Sequence, residues 1–153
     1  MKNMNVRVVD SISEAIEQIQ NKIRIRAYEK FLSRGGEANR ALDDWLDAER
    51  ELICVLAANI AQQEDQIVAE IEISKIYLAN LVIQVTTDEA LIHAAIPEAT
   101  EDVKSSRRIA TSAFGVIRFD RPIDPQGVRA YYGRGVLRLT APISNAKGFK
   151  ASA

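Results

Sequence analysis

The sequence predicts an α+β fold in which an N-terminal helical hairpin is followed by an antiparallel β-sandwich. Apolar residues recur at helical spacing from Ser11 to about Ala61, whereas from Ile67 onward they alternate with polar residues, as in half-buried strands. In addition, Gly133-Arg134-Gly135 separates two alternating segments, the second of which ends at Pro142. This pattern is typical of a β-hairpin, and proline ends the strand because it cannot donate to a ladder.

The first helix is predicted to run from Ser11 to the glycine pair Gly35-Gly36. Ser11 followed by Glu14 has the spacing of a capping box. The expected buried stripe has apolar residues at intervals of three and four: Ile12, Ile16, Ile19 and Ile23. The stripe is less regular after Asn21, which leaves open a bend or break there. Glycine is expected to end the helix because it adopts the left-handed conformation without steric cost.

A second helix is predicted to begin near Asn39, a competent N-cap residue. Its apolar side comprises Leu42, Trp45, Leu46, Leu52, Ile53 and Leu56. We expect the two helices to form a hairpin in which Trp45 packs onto Tyr28 and Phe31. Clustered carboxylates on this helix are expected to form a solvated face, although Glu49 could instead pair with Arg26 across the hairpin.

The strands are predicted from period-two alternation between turn signals. They are Ile67–Ile73, Leu81–Thr87, Ala90–Ile96, Phe114–Arg121, Val128–Tyr132 and Val136–Ala141, with a possible short strand at Arg108–Thr111. Residues 57–66 either extend the second helix or form the boundary before the strands. The expected division is therefore a helical domain at 1–64, a sandwich at 65–143 and a flexible tail at 144–153.

Composition and charge argue against several classes of function. A net charge of −1 gives no global attraction to nucleic acid or an anionic membrane, and the apolar runs are too short for a membrane span. The chain has one cysteine, Cys54, and one histidine, His93, so a His/Cys metal site is not expected. Cys54 is interpreted as a buried inert thiol and His93 as an outward or edge strand residue. We expect a cytoplasmic protein without cofactor, metal or enzymatic activity.

Residues 67–142 resemble the alpha-crystallin domain of small heat-shock proteins. Ile67–Val85 is similar to its paired opening strands, with Ile76–Leu81 as the connecting turn, and Phe119-Asp120-Arg121-Pro122 is similar to a Phe-x-Leu-Pro motif. The closing segment carries Ala130, Gly135, Val136, Leu137, Leu139 and Pro142 at matching positions. The resemblance implies an immunoglobulin-like sandwich of seven or eight strands.

A second resemblance covers Ile25–Leu52, which is similar to a short helical domain of unknown function found widely in bacteria. The matching motifs are Arg26-Ala27-Tyr28, Arg34-Gly35, Asp44-Trp45-Leu46 and Ala48-Glu49. This resemblance implies a bacterial source and no particular activity.

The chain departs from the small heat-shock pattern at two places. Ile143 has no apolar partner two residues on, so the tail motif with which relatives build large oligomers is missing. Arg118 is one position out of register with the family arginine, whose place is taken by Ile117, and a one-residue shift reverses the face of a strand. We therefore expect a homodimer or small homo-oligomer. Pro97–Ser112 is either the strand-exchange loop of bacterial relatives or a surface loop.

The resemblance implies an ATP-independent holdase that binds unfolding client proteins at a sheet edge or apolar groove. It places this groove between two strands, with the candidate residues Leu81, Ile83, Val85, Val128, Ala130 and Tyr132. Taken singly, each of these residues fits a plain sandwich core at least as well. The alternative is an interaction module without holdase activity, in which the helical hairpin docks a specific partner.

Overall fold

The computed structural model describes residues 2–36, 40–95 and 112–144. Within these ranges, two helices and ten strands form, together with short 3₁₀ turns. The helices are α1 (Ser13–Ser33) and α2 (Ala41–Leu52). The strands are β1 (Lys2–Met4), β2 (Arg7–Val8), β3 (Ile53–Val55), β4 (Ala58–Gln63), β5 (Gln66–Glu72), β6 (Val82–Val85), β7 (Glu89–Ala95), β8 (Ser112–Arg118), β9 (Arg129–Gly133) and β10 (Val136–Pro142). The predicted N-cap at Asn39, the possible strand at Arg108–Thr111, the tail from residue 145 and nearly all of Pro97–Ser112 lie outside the described residues.

The strands form two sheets. Sheet A has the order β1-β9-β10-β5-β4 and is antiparallel throughout. Sheet B has the order β2-β6-β7-β8-β3, in which the central strands are antiparallel and the short edge strands β2 and β3 pair in parallel. The predicted α+β class with a β-sandwich is thus confirmed, and parallel pairing at both edges of sheet B is added to it.

The core lies between the sheets and follows the period-two pattern. Alternate residues of the central strands are almost fully buried: Ile67, Ala69 and Ile71 on β5, Ala90, Ile92 and Ala94 on β7, and Leu137, Leu139 and Ala141 on β10. Burial of each of the larger aliphatic side chains contributes about 1.5–3 kcal/mol. The predicted strands of the sandwich are confirmed, although β8 ends at Arg118 rather than Arg121.

The β9–β10 turn was predicted from its glycine. Arg134 and Gly135 both adopt positive φ, at 54° and 80°, which is the backbone of a two-residue hairpin turn whose twist matches that of the strands. On β8, Ile117 is buried and Arg118 is exposed, where its guanidinium contacts Glu89 at 3.3 Å. Arg118 therefore lies on the outer face, as the register argument predicts.

Helix α1 is continuous through Asn21, so no break occurs there. Its start differs from the predicted capping box, because Ile12 is the N-cap residue. The Ser11 hydroxyl accepts a hydrogen bond from the Ser13 N–H at 3.1 Å, whereas a capping box would require the Glu14 N–H as the donor. Its end follows the glycine prediction. Gly35 has φ 91°, and the Gly36 N–H reaches back to the Phe31 carbonyl at 2.9 Å, as in a Schellman motif.

Helix α2 ends at Leu52, earlier than the predicted helix, because the next residues pair with distant strands. Residues 53–55 lie in parallel register beside β8, and the Leu56 N–H donates to the Phe114 carbonyl at 2.8 Å. Residues 58–63 pair with β5. These β-branched and polar segments gain more from sheet pairing than from continuing the helix, so tertiary contacts override the local period.

The predicted apolar side of α2 is also corrected. Leu42 is 68% exposed and Leu46 is 41% exposed, whereas Asp44 and Ala48 are buried. Ala48 packs with Ile19 and Ile23 of α1 and with Ile53, and Trp45 and Phe114 pack against this cluster. The hairpin therefore lies on the outer face of sheet B, over β8, and Asp44 takes a buried position because Arg34 is its partner.

The expected division at residue 64 falls in the turn between β4 and β5. Strands β1 to β4 lie on its N-terminal side and pair with strands of both sheets on the other side. The helical hairpin is thus flanked on both sides by sandwich strands. Strands β1, β2 and β3 have only two or three residues, and strands of that length are stable only when they pair with longer ones.

Candidate functional site

The six residues predicted to line a groove come from the facing edges of the two sheets. Ile83 and Val85 lie on β6, next to the edge of sheet B, and Ala130 and Tyr132 lie on β9, next to the edge of sheet A. Leu81 and Val128 directly precede these two strands. Ile83, Val85, Val128 and Ala130 are almost fully buried, whereas Leu81 and Tyr132 are half-buried. All six belong to the main core cluster or pack against it. Four of the six are thus core residues, as the plain-sandwich alternative predicts, and we call the apolar row that the six residues form beside β6 and β9 the seam.

The N-terminal residues Lys2–Val9, which we call the strap, cover this seam. Strand β1 pairs antiparallel with β9, with Lys2 opposite Tyr132 and Met4 opposite Ala130. Strand β2 then pairs in parallel with β6, and the Val9 N–H donates to the Val85 carbonyl at 2.9 Å. Met4 and Val6 pack against the core, whereas Asn5 and Arg7 are exposed. The strap thus joins the two sheets across their open side.

Sequence reasoning did not assign the strap to the fold. A signal was present, because Met4, Val6 and Val8 alternate with Asn5 and Arg7. Five such residues at the start of a chain are too few to distinguish a strand from an irregular segment.

One polar contact, made by Tyr132, lies at the rim of the seam. The Tyr132 hydroxyl donates to the Ile73 carbonyl at 3.3 Å. Tyr77 is buried in the 3₁₀ turn Lys75–Asn80, and burial, reinforced by the nearby Cys54 thiol, raises the pKa of its phenol. Cys54 itself is half-buried on β3. The Tyr132 contact thus ties β9 to the end of β5, whereas Cys54, with which Tyr77 interacts, lies at the edge of sheet B opposite β6 and away from the seam.

Strand β4 presents a second feature, an exposed edge of sheet A. Residues 59–63 are exposed along their length, and no charged residue occurs between Leu52 and Glu64. Ile60 lies opposite Ala69, whose side chain is in the core, yet Ile60 is 51% exposed. Natural edges usually carry charge or proline that prevents pairing with another chain, and β4 carries neither.

Ion pairs hold the helices of the hairpin together. The Arg34 guanidinium donates to both carboxylate oxygens of Asp44, at 2.9 and 2.6 Å, and these hydrogen bonds lower the pKa of Asp44 although burial opposes the shift. The Glu51 carboxylate forms ion pairs with the Arg26 guanidinium at 2.8 Å and with the Lys30 ammonium group at 2.7 Å. Burial raises the pKa of Glu51, but hydrogen bonds from Lys30 and Arg26 outweigh it and the net shift is downward.

The sequence suggested Glu49 as the partner of Arg26, and the structure gives that place to Glu51 and Glu29. Two of the clustered acidic residues, Asp44 and Glu51, therefore act as structural anchors instead of belonging to a solvated face.

The aromatic residues expected to pack across the hairpin lie in different places. Trp45 packs against the cluster between the helices and sheet B. Tyr28 is 60% exposed and stacks on Phe31 with ring centroids 6.0 Å apart, and the Arg34 guanidinium lies over the Phe31 ring. Tyr28 faces away from α2 because Ile23, Ala27 and Lys30 occupy the side of α1 that meets it.

A further stripe on α1 is apolar and exposed. Ile25, Tyr28 and Leu32 follow one another at intervals of three and four and point to solvent, and Leu42 and Leu46 do the same on α2. Large exposed apolar residues at such spacing are uncommon on a helix that has no further partner.

His93 lies on the outer face of β7, opposite Phe114 of β8. Its Nε2 atom is buried and has no hydrogen-bond partner among the described residues. Burial lowers the pKa of His93, and the positive charges of Lys22 on α1 and Arg7 on β2 lower it further. In residues 2–36, 40–95 and 112–144, no group of three or more His, Cys, Asp or Glu side chains is placed to hold a metal ion. No helix of the described part is both long and apolar enough to cross a membrane.

Comparison with known proteins gives two separate similarities, one to a family model and one to solved structures. Residues 19–52 match the family model described as a protein of unknown function, DUF2934, which agrees with the resemblance seen in α1 and α2. No curated protein sequence matches the chain.

Solved structures of small heat-shock proteins resemble the chain. The Del-C4 mutant of hsp14.1 from Sulfolobus solfataricus P2 aligns over 79% of this chain and 97% of its own, with a TM-score of 0.52 and 13% identity. A small heat-shock protein from Xylella fastidiosa aligns over 60% and 88%, with a TM-score of 0.50 and 19% identity. HSP18.5 from E. histolytica aligns over 60% and 91%, with a TM-score of 0.50 and 15% identity. At these identities, the likeness shows the alpha-crystallin type of sandwich fold.

Proposed function

We propose that this protein is an ATP-independent holdase that binds unfolding client proteins in the seam between β6 and β9. The observation that carries the proposal is the seam itself: an apolar row at the meeting edges of two sheets, in a sandwich of the alpha-crystallin type. An unfolding client exposes apolar segments and unpaired backbone groups, and a sheet edge beside an apolar row can bind both.

The strap supports this proposal because an extended segment already pairs with the strands on both sides of the seam. It is an extended segment whose backbone pairs with β9 and β6 and whose alternate side chains, Met4 and Val6, pack inward. A client strand with apolar residues two positions apart would make the same contacts. Specificity would be low, since backbone pairing does not depend on sequence and the apolar side chains need only fit the seam.

The expected affinity is modest. Each aliphatic side chain buried in the seam contributes about 1.5–3 kcal/mol, and association costs at least about 4 kcal/mol in lost freedom. A client segment with a few such side chains would bind weakly and exchange readily. We therefore expect the protein to keep clients soluble at a near-stoichiometric ratio of protein to client. ATP is not needed, because binding in the seam involves no chemical reaction.

The test is an aggregation assay with a heat-labile client and the full chain, without ATP. Tyr132→Ser changes the inward-facing rim of the seam, and Tyr131→Ser is its matched control, since the neighbouring residue points to the opposite face of β9. The wild type and the Tyr131 variant should keep the client soluble, and the Tyr132 variant should do so less well. If the wild type does not keep the client soluble at any ratio of protein to client, the proposal is wrong.

A homodimer or small homo-oligomer is part of the proposal, as is a cytoplasmic location. The exposed, uncharged edge β4 is the surface on which a second chain could add a strand. By resemblance, Pro97–Ser112 is one candidate for that strand. The alternative, in which this segment is a surface loop, would leave the edge to another part of the second copy.

The second candidate function is an adapter, and the exposed apolar stripe on α1 favours it. In that case Ile25, Tyr28 and Leu32 would bind a partner and the sandwich would act as a scaffold. Cutting the chain at residue 64 would remove β1 to β4 from the sandwich, so the full chain must be tested. Replacing the three residues by serine should abolish partner capture if the adapter function holds, and clients should then be unprotected by either protein.

A further inference from the structure

We propose that the strap is an intramolecular competitor of clients, so that the seam becomes available only when Lys2–Val9 leaves it. This inference rests on the proposed function, because it concerns regulation of the same site. The strap pairs with the outer sides of β9 and β6, which are the backbone positions that an added client strand would need. Strap and client therefore cannot be bound at the same position together.

The strap is held by few contacts. Its strands are three and two residues long, and in them only Met4 is half-buried. Val6, between the strands, is the other side chain of Lys2–Val8 that packs against the core. The strands with which the strap pairs, β9 and β6, are five and four residues long, and Ala130, Ile83 and Val85 on them are almost fully buried. Segments with few buried apolar contacts open locally at lower free-energy cost than the sandwich unfolds, so the strap can leave while the sheets remain intact.

The helical hairpin determines where the strap is anchored. After Val9, only Asp10, Ser11 and the buried Ile12 precede the start of α1. Helix α1 in turn packs through Ile19 and Ile23 against Phe114 on sheet B. A docked hairpin therefore keeps the strap close to the seam at a high effective concentration, and a partner that moves the hairpin would release it.

The first experiment measures whether the strap closes the seam. A fluorescent peptide with the strap sequence, KNMNVRVV, is titrated against the wild type, a release variant and a control variant. The release variant carries Met4→Asp and Val6→Asp, and the control carries Asn5→Asp, at an exposed position between them. We expect the release variant to bind the peptide at least about tenfold more tightly than the wild type or the control, since its seam is free for a larger fraction of the time.

A lock variant makes the test independent of the stability of the release variant. Asn3 and Tyr131 are directly opposite in the β1–β9 pair, where Cα atoms are close enough for a disulfide. Asn3→Cys with Tyr131→Cys, in a Cys54→Ala background, should bind the peptide at least about tenfold more weakly when oxidised than when reduced. Equal peptide binding by oxidised and reduced protein, or by wild type and a folded release variant, overturns the inference.

The aggregation assay on the same proteins separates this inference from the proposed function. If both hold, the release variant protects clients at a lower ratio than the wild type, and the oxidised lock protects least. If the peptide results are as expected but none of the proteins protects a client, the strap closes the seam and the holdase function fails. If the oxidised lock protects as well as the wild type, the holdase function stands and the strap inference is overturned.

Discussion

Single charged residues determine how the helical hairpin holds together. Asp44 is buried on α2 and accepts both hydrogen bonds of the Arg34 guanidinium, in the bidentate geometry that suits this pair. A buried charge contributes to stability only while its partner is in place, and it becomes costly once the partner is lost. The neighbouring Asp43 is exposed and pairs with Arg40 on the surface.

We expect Asp44→Asn to lower the melting temperature clearly more than Asp43→Asn. The amide cannot provide a charged acceptor for both guanidinium N–H groups, and Arg34 is left partly buried beside it. Thermal unfolding followed by circular dichroism measures both variants. The lowered pKa of Asp44 also means that its stabilisation is present above its ordinary value of 3.8 and is lost as the pH falls through the folded-state value. Equal melting temperatures for the two variants would contradict the structural role of Asp44.

His93 predicts a pH dependence in a higher range. Its pKa in the folded protein is below the ordinary value of 6.5, so the unfolded chain takes up a proton first as the pH falls. The stability is therefore complete above about pH 6.5 and decreases as the pH falls towards the folded-state pKa. Urea unfolding at pH 7.5 and pH 5.5, above the range of Asp44 and Glu51, should show a loss in the wild type that is smaller in His93→Gln. The same loss in both proteins would contradict this assignment.

At the scale of elements, the contact between β3 and β8 joins the hairpin region to the sandwich. Gly115 lies on β8 where the chain after β3 crosses closely: a Cβ there would be 2.8 Å from the Leu56 carbonyl oxygen and 2.9 Å from its Cβ. A side chain at this position would push the backbone of residue 56 away from β8. The glycine is therefore required by packing, and its φ is not in the left-handed region.

Gly115→Ala should reduce the free energy of unfolding by about 1–3 kcal/mol, the usual cost of overpacking. Gly135→Asn is the control, because Gly135 has open space around it and asparagine tolerates its positive φ; we expect a loss below about 1 kcal/mol. Denaturant unfolding measures both. If the alanine variant were as stable as the wild type, the close approach of Leu56 to β8 would not be rigid in solution.

Some elements could be predicted from the sequence and others could not. The strands from β5 to β10 were predicted because each has one buried face and clear turns, and the strand pattern there is period two. The end of α2 was missed because residues 41–56 continue an apolar pattern compatible with a helix. Pairing of residues 53–55 with β8, far along the chain, decides their conformation, and no local pattern contains that information.

At the scale of the whole molecule, three of the four edge strands described in the two sheets are short, and β4 is the exception. Strands β1, β2 and β3 are two or three residues long, whereas β4 has six residues and an exposed, uncharged surface. A long unprotected edge is the place where a second chain can add to a sheet. This contrast leads to the expectation that copies of the protein associate through β4.

We expect a homodimer in solution, and Ile60→Lys should shift it towards the monomer by placing a charge on the edge. Ile60 is half exposed, so the fold should tolerate the change. Leu42→Lys is the control, since Leu42 is exposed on the hairpin, away from β4. Light scattering coupled to size exclusion measures the mass of each protein across a range of concentrations. A wild-type monomer, or a dimer that both variants leave intact, would contradict association through β4.

The sequence by itself determined the α+β class, the strands from Gln66 to Pro142 and the glycine end of α1, because these depend on local period and turn chemistry. Only the tertiary structure decided what covers these strands. The strap, the buried face of α2 and the edge strand β3 depend on pairing between residues far apart in the chain. Segments this short have no conformational preference strong enough to be read locally, and their free energy comes from the strands beside them.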